Sequence, residues 1–291
     1  MKAHIVLPDV PSHAVSRTIA ALMKHAPSSV SFVDDASESD LVILNVIGRQ
    51  DRTRMAVDRL ITEGRRVAMI QYCVRSTMRP STEGWQPLWH KASLVWSYYD
   101  LPNLCRVDGV TPDFEFYHAP LGVDAKVFKP PVRRSHKYLV CTSGQSALTE
   151  SVREAIYAAR RVNRKVLHLG PELKRGPDVV CQWGLSDAGL ARLYGECDYV
   201  LGLRRIEGFE LPAAEGLLCG SRPVVFDKAH YHQWFDGWAS FIQEGPRDEV
   251  IDSLESIFKR KPKPVTRAER VAAAMLFNWN IIITGFWERL A

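Results

Sequence analysis

Two carboxylates, Glu207 and Glu215, stand eight positions apart in the most distinctive segment of the chain, residues 207–225. Gly208 and Pro212 lie between them, and a Cys-Gly-Ser-Arg-Pro-Val-Val run follows. Ionised carboxylates accept hydrogen bonds from hydroxyl groups through both of their oxygens. A pair of carboxylates facing one cleft therefore suits a ligand rich in hydroxyl groups. At this spacing alone, the better interpretation is that the two glutamates cap and solubilise a surface helix.

The neighbouring residues predict the elements that position these carboxylates. Residues 198–203 are a short apolar run typical of a buried parallel strand, and residues 213–218 favour a helix. Pro212 falls in the first turn of that helix, where a missing N–H costs little. Gly208 lets the backbone approach a ligand closely, and the N–H groups at the helix start favour an anionic diphosphate. The first carboxylate is thus expected in a turn, and the second about one turn inside the helix.

Segment 207–225 resembles the donor-site signature of retaining GT-B glycosyltransferases of the family 4 type. Matches at Phe209 and Leu211 and in the run 219–225 favour this interpretation over a plain surface helix. The resemblance implies hexose transfer from a nucleotide-diphosphate sugar, with UDP-glucose as the expected donor and with retention of configuration. Glu207 would be catalytic and hold hydroxyls of the hexose, and Glu215 would hold the ribose. The donor-binding residues that it implies here are Glu207, Gly208, Phe209, Glu210, Leu211 and Glu215.

The basic residues expected to bind the donor diphosphate are missing from their usual place. Members of this family carry an arginine and a lysine after the first strand of the second domain, whereas residues 142–151 contain neither. Hydroxyls and backbone N–H groups around Gly144 would be one replacement. Arg204 or Arg205 would be another, because an arginine fork suits a diphosphate and a retaining enzyme must stabilise its leaving phosphate. The alternative is that both arginines are solvated loop residues.

The first loop also departs from the family pattern. It reads Pro-Asp-Val-Pro-Ser-His-Ala-Val-Ser over residues 8–16, where family members commonly have a glycine pair. His13 and Asp9 are candidates for catalytic groups near the acceptor hydroxyl or the phosphate. A plain histidine near a helix cap is the competing interpretation of His13.

Alternating strands and helices predict an α/β fold of GT-B type, with two Rossmann-like domains facing each other across a cleft. The first domain, residues 1–130, would bind the acceptor, and the second, residues 131–275, the nucleotide sugar. Residues 118–131, with a Gly-Val-Asp turn and a Phe-Lys-Pro exit, resemble the interdomain segment of the family. Residues 276–291 would complete a long helix that packs back on the first domain.

Composition favours a cytoplasmic enzyme with reduced thiols. The chain has 291 residues, a net charge of +5 and six scattered cysteines without metal-ligand spacing. We expect no bilayer-spanning segment, because no apolar run approaches roughly 20 residues, and no signal peptide. No Asp-x-Asp motif is present, so we expect transfer without a metal and without a cofactor other than the nucleotide sugar.

The acceptor is predicted from the first-domain loops. Basic loops with aromatic surfaces can hold phosphates and stack on an extruded base, which suggests 5-hydroxymethylcytosine in DNA and a phage-type enzyme in the host cytoplasm. In the competing interpretation, the tryptophans fill the core and the arginines are ordinary surface charge. The acceptor-binding candidates are Arg49, Arg52, Arg75, Arg79 and Tyr98, beside Trp85, Trp89, Trp96 and Tyr99.

Other functions stay open at this point. The acceptor could be lipid-linked or a polysaccharide, although no amphipathic membrane helix with a distinct basic face is apparent. A non-catalytic nucleotide-sugar binding protein would keep the two glutamates and could lose the phosphate grip. A dinucleotide-dependent oxidoreductase is remote, because no G-x-G-x-x-G follows the first strand. The oligomeric state is not predicted.

Overall fold

A computed structural model describes residues 1–7, 13–47, 50–74, 82, 84–144, 151–173, 176–205 and 208–291. The chain divides into two compact units. The first contains residues 1–122 and 279–291, and the second contains residues 123–278.

The first unit is a parallel sheet of six strands in the order β2-β1-β3-β4-β5-β6. Its strands are β1 Lys2–Val6, β2 Ser31–Phe32, β3 Leu41–Ile47, β4 Arg66–Cys73, β5 Leu94–Ser97 and β6 Phe116–His118. Its helices are α1 His13–Lys24, α2 Gln50–Thr62, α3 Gln86–Trp89, α4 Leu101–Val107 and, from the end of the chain, α11 Trp279–Glu288.

The second unit is also a six-stranded parallel sheet, in the order β12-β11-β10-β7-β8-β9. Its strands are β7 Tyr138–Ser143, β8 Val166–Leu169, β9 Val179–Gln182, β10 Cys197–Gly202, β11 Arg222–Phe226 and β12 Ser240–Ile242. Its helices are α5 Val152–Arg161, α6 Asp187–Gly195, α7 Leu211–Leu218, α8 Ala229–Phe235, α9 Arg247–Phe258 and α10 Arg267–Leu276.

The central strands explain why both sheets are parallel and covered. Every residue of β10 and β11 is buried, and β3 is a nearly continuous apolar run. Strands that are apolar on both faces must be covered by helices on both sides, which the crossover helices of parallel sheets provide. Two Rossmann-like α/β units, as predicted from the alternation of elements, are therefore confirmed.

Strand order places a switch point in each sheet. The order reverses between β1 and β3 in the first unit, and between β7 and β10 in the second. At such a point the loops leaving the two neighbouring strands run to opposite faces of the sheet, which opens a crevice at the carboxyl edge. In the second unit this point lies between the ends of β7 and β10, at Ser143 and Gly202.

The end of the chain differs from the single long helix that the sequence suggests. Two helices, α10 and α11, are separated at Phe277 and Asn278. Phe277 is fully buried against aromatic rings of the second unit, and its carbonyl oxygen accepts a 2.8 Å hydrogen bond from the N–H of Val123. Helix α11 instead packs in the first unit, where the Tyr117 hydroxyl donates to the Ile282 carbonyl oxygen. Residues 123–130, expected at the end of the first domain, lie in the second unit.

A buried ion pair attaches α10 to the sheet of the second unit. The Arg222 guanidinium on β11 lies 2.9 Å from Glu269 and also donates to the carbonyl oxygens of Trp238 and Pro264. Glu269 completes a capping box with Thr266 at the start of α10. Burial acts to raise the pKa of Glu269, but hydrogen bonds from Arg222 and Thr266 outweigh it and lower this pKa to about 2.

We predict that Glu269→Gln destabilises the chain in a pH-dependent way. A carboxylate whose pKa is lowered by folding stabilises the fold above its unfolded pKa, and this stability is lost as the pH falls through the folded value. The variant should lose about 1–3 kcal/mol of unfolding free energy at pH 7. The difference from the parent should shrink between about pH 4.5 and pH 2.

Urea unfolding at pH 7, 4 and 3 measures this difference. Glu288→Gln, which changes an exposed glutamate on α11, serves as the control and should leave the unfolding free energy unchanged. An equal loss at all three pH values would contradict the role given to the ionised Glu269.

Candidate functional site

Several residues predicted from the sequence lie outside the described part of the chain. They are Asp9, Arg49, Arg75, Arg79 and Glu207, together with the side chain of His13, the first residue of α1. Their assignments stay predictions.

Arg204 spans the switch point of the second unit. It follows β10 by two residues, and its Nη2 lies 3.4 Å from Oγ of Ser143, the last residue of β7. Gly144 comes next, with φ at 136°, a conformation that favours glycine. The Gly144 N–H donates to the carbonyl oxygen of Leu169 at the end of β8. One arginine and the ends of three neighbouring strands therefore meet at the carboxyl edge of this sheet.

Glu210 is an internal partner of Arg204. Its side chain is 0% exposed, and Oε2 accepts a 3.1 Å hydrogen bond from Nη1 of Arg204. Oε1 accepts from the Arg204 backbone N–H at 3.2 Å and lies 3.1 Å from the Tyr231 hydroxyl. Its carboxylate is enclosed and bonded to protein donors, and donor binding by Glu210 stays a prediction.

Arg205 points to different partners. Its Nη1 lies 3.1 Å from Glu244, and its guanidinium also donates to the carbonyl oxygen of Gly245. Lys228 lies 2.7 Å from the same Glu244 and donates to the carbonyl oxygen of Arg205. The two adjacent arginines, treated as alternatives in the sequence, are thus held in separate networks.

Phe209 belongs to the core of the second unit. Its ring stacks on Phe235 at 5.7 Å and meets Phe277 edge-on at the same distance. Its ring is therefore used in packing, and donor binding by Phe209 stays a prediction. Gly208 is buried too, while Leu211 begins α7 and is half-buried. The signature therefore contributes core packing as well as the start of a helix at the sheet edge.

Glu215 is enclosed within the second unit. It is 2% exposed and forms a side-chain hydrogen bond with Tyr194. Burial raises the pKa of Tyr194 well above its ordinary value, and the Glu215 carboxylate raises it further. Glu215 lies on α7, as predicted, but its carboxylate does not line an open cleft. Ribose binding by Glu215 stays a prediction of the family resemblance.

A cavity of about 610 Å³ lies beside the switch point, between the β8–β9 connection and β9. Gly170 joins it to the Arg204 region, because a Cβ at this position would lie 2.4 Å from the carbonyl oxygen of Gly144. Trp183, which is 62% exposed, stands at the end of β9 beside Gln182. The described lining residues are Gly170, Glu172, Leu173, Gly176, Val179, Cys181, Gln182 and Trp183. None of these was a candidate from the sequence; a tryptophan directly after a short Val-Val-Cys-Gln strand was the available signal.

The buried His168 packs beneath Gly170, the cavity residue that contacts Gly144. Nδ1 of His168 lies 2.9 Å from the Thr142 hydroxyl, and Nε2 lies 2.4 Å from where a Gly170 Cβ would be. Burial lowers the pKa of His168, so the ring is neutral near pH 7. Any side chain at residue 170 would collide with the Gly144 carbonyl oxygen and the His168 ring, which explains the glycine there.

The aromatic residues predicted to stack on a base are core residues of the first unit. Tyr98 is 5% exposed and donates its hydroxyl proton to the carbonyl oxygen of Tyr72. Trp85, Trp89 and Trp96 are each buried. Burial leaves these rings little surface for stacking on a base, and acceptor binding by Tyr98 stays a prediction. Arg52 is exposed in the first turn of α2, directly after the switch-point strand β3.

Within the described residues, no group of three or more His, Cys, Asp or Glu side chains is arranged to hold a metal ion. Among the helices so described, none combines the length and the apolar character needed to cross a membrane.

Comparison of the folds finds similar solved structures. Alr3699/HepE from Anabaena, in complex with UDP, is 13% identical, with 99% of each chain covered and a TM-score of 0.75. Sucrose-phosphate synthase from Thermosynechococcus elongatus is 12% identical over 94% of this chain and 76% of the other, with a TM-score of 0.68. AviGT4, a glycosyltransferase involved in avilamycin A biosynthesis, is 13% identical over 99% and 96%, with a TM-score of 0.66.

These similarities show the fold, which is that of GT-B glycosyltransferase structures. No protein-family model matches the chain, and no curated protein matches it in sequence.

The close contact between Gly202 and Glu210 yields a test of this geometry. A methyl group at residue 202 would lie 2.6 Å from Cγ and 2.7 Å from Cβ of Glu210, near the fixed end of that side chain. We expect Gly202→Ala to lower the unfolding free energy by about 1–3 kcal/mol, because the enclosed carboxylate must be displaced.

Chemical denaturation of Gly202→Ala measures this loss. Gly189→Ala on α6 is the matched control, since its added Cβ would make only ordinary contacts at 3.5–3.6 Å and alanine favours a helix. Equal stability of the two variants would contradict the placement of Glu210 over Gly202.

Proposed function

We propose that this protein is a glycosyltransferase that moves a hexose from a nucleotide-diphosphate sugar to an acceptor hydroxyl. The observation that carries the proposal is the continuous line of groups along the carboxyl edge of the second sheet. The cavity beside Trp183 opens next to Gly170, Gly170 meets Gly144, and Arg204 reaches the adjacent Ser143. The cavity has both apolar and polar lining residues, and the cationic Arg204 lies further along the same edge. This order matches that of base, sugar and phosphate in a nucleoside diphosphate.

The base is assigned to the cavity, and ribose binding stays with Glu215 as the family resemblance implies. Trp183 offers an exposed aromatic face at its rim, and the adjacent Gln182 offers an amide that can both donate and accept hydrogen bonds. UDP is the first nucleotide to test, because the similar Anabaena structure was determined with UDP bound. Glucose is the donor hexose that we propose, following the family resemblance of segment 207–225.

The transfer itself is assigned to the loop after β10. Glu207 would hold hydroxyls of the hexose, and the departing diphosphate would help to deprotonate the acceptor on the same face, with retention of configuration. Positive charge near the leaving phosphate stabilises the charge that develops there. The chain has no Asp-x-Asp motif, which is the ground for proposing transfer without a metal.

The acceptor is proposed to be a carbohydrate hydroxyl, with a sugar phosphate as the first candidate. The aromatic residues expected to stack on a DNA base are buried, so the hydroxymethylcytosine acceptor and the phage-type assignment lose that argument. Arg52 stands exposed at the carboxyl side of β3, where a phosphate could bind. The similarity to a sucrose-phosphate synthase structure gives a further reason to test phosphorylated sugars.

The first prediction is transfer of a hexose to one member of an acceptor panel. Purified protein would be incubated with UDP-glucose and other nucleotide sugars, beside sugar phosphates, oligosaccharides, a lipid-linked acceptor and DNA containing 5-hydroxymethylcytosine. Intact-product mass spectrometry should detect a hexose-sized gain that Glu207→Ala abolishes. A gain on the DNA alone would replace the carbohydrate acceptor, and UDP binding without transfer or donor hydrolysis would indicate a binding protein.

The second prediction concerns the cavity. We expect Trp183→Ala to weaken UDP binding by about 5- to 100-fold, because stacking of an aromatic ring on a base contributes roughly 1–3 kcal/mol. Trp183→Phe should retain most of the affinity. Val132→Ala, at a fully exposed apolar residue away from the cavity lining, is the control. Unchanged UDP affinity in Trp183→Ala would place the base elsewhere.

A further inference from the structure

We infer that Arg204, and not Arg205, binds the donor diphosphate, and that Glu210 and Tyr231 are positioning residues that hold Arg204 for this task. This inference rests on the proposed function and assigns the phosphate grip that the sequence lacks after β7. The phosphate-binding cation then follows β10, whereas the family pattern places an arginine and a lysine after the strand that corresponds to β7.

The location of Arg204 is the first argument. A ligand of a doubly wound sheet binds in the crevice at the switch point, and Arg204 bridges its two sides by reaching from the end of β10 to Ser143 on β7. The side chain is 22% exposed, so it is not sealed off from the edge of the sheet. Its planar fork of N–H donors suits the oxygens of a diphosphate.

The second argument is that Arg204 is held in place from behind. Burying a carboxylate is costly unless it is fully hydrogen-bonded, and Glu210 is enclosed with its two oxygens bonded to protein groups. Oε2 fixes the guanidinium through Nη1, while Oε1 fixes the backbone N–H of the same arginine. The main chain and the side chain of Arg204 are thus oriented by one carboxylate.

Tyr231 links this pair to α8. Its hydroxyl lies 3.1 Å from Oε1 of Glu210 and 3.2 Å from the carbonyl oxygen of Arg204, so its single proton is shared between two acceptors of the same cluster. Gly202 leaves the space that the Glu210 side chain fills. Gly202, Glu210 and Tyr231 thus all contribute to the position of Arg204. A solvated loop arginine would not require such contacts.

Arg205 is the natural comparison. Its exposure, 20%, is close to that of Arg204, so accessibility does not separate the two. Their partners do: Arg205 donates to Glu244 and to the carbonyl oxygen of Gly245, beyond β12. Glu244 also pairs with Lys228. This network binds the loop to β12 and not to the ends of β7 and β8, where the cavity begins.

The experiment compares the affinities of UDP and uridine, because their ratio isolates the diphosphate. Calorimetry measures UDP, and ligand-observed NMR measures the weaker uridine. Arg204→Gln should weaken UDP by about 10- to 100-fold and leave uridine unchanged, which also verifies that the variant is folded. Arg204→Lys should fall between, since it keeps the charge and loses the fork. Arg205→Gln should keep the parental ratio.

Positioning is tested by a double-mutant cycle. Glu210→Gln and Tyr231→Phe should each lower the UDP-to-uridine affinity ratio by a smaller factor than Arg204→Gln. Combining Glu210→Gln with Arg204→Gln should add nothing to the loss of the arginine variant, because the carboxylate acts through the arginine. A purely structural Glu210 would instead weaken UDP and uridine alike.

The outcomes separate this inference from the proposed function. Parental protein that binds UDP more tightly than uridine, with an unchanged ratio in Arg204→Gln, would overturn the inference alone. A collapse of the ratio in Arg205→Gln would move the grip to that residue. Parental protein that binds neither UDP nor uridine would overturn both.

Discussion

Parallel strands end at a common edge, and this constraint places every group of the candidate site in the second unit. The strand order reverses between β7 and β10, and a reversal of this kind is where ligands of doubly wound sheets bind. Arg204 and Ser143 come from opposite sides of that reversal, and Gly144 and Gly170 carry the contact on to β8. Ser143 and Arg204, which are 61 positions apart in sequence, are therefore brought together by the sheet itself.

Two partly buried arginines make hydrogen bonds at opposite edges of this sheet, with different kinds of partner. At the amino edge, Arg134 donates to the carbonyl oxygens of Gly195, Cys197 and Gly220, and burial lowers its pKa. Its hydrogen bonds to these carbonyl oxygens join the segments before β10 and β11. At the carboxyl edge, Arg204 is paired with an enclosed carboxylate and stays partly exposed. The partners of the two arginines therefore differ: Arg134 bonds backbone carbonyl oxygens, whereas Arg204 pairs with a carboxylate and keeps part of its side chain exposed.

The fold was predictable because its central strands are unmistakable. Continuous apolar runs at β3, β7 and β10, separated by helical segments, predict parallel sheets. The edge strands β9 and β12 and helix α8 were not predicted, since edge strands are short and mix polar with apolar residues. Missing β9 also meant missing the cavity and Trp183. The sequence could not distinguish Arg204 from Arg205 either, because their partners Glu210 and Glu244 are brought to them only by the tertiary fold.

Burial within segment 202–215 distinguishes the residues that build the fold from those that are accessible to a ligand. Phe209 packs in the core, Glu210 and Glu215 are enclosed, and Gly202 is required by its neighbour. Most of the described signature residues thus build the strand, turn and helix, and one partly exposed arginine projects from them. A resemblance carried by such residues predicts the fold and the placement of a donor strongly, because the same packing is needed whatever the acceptor. It predicts the acceptor weakly, since acceptor groups must come from loops that this packing does not constrain.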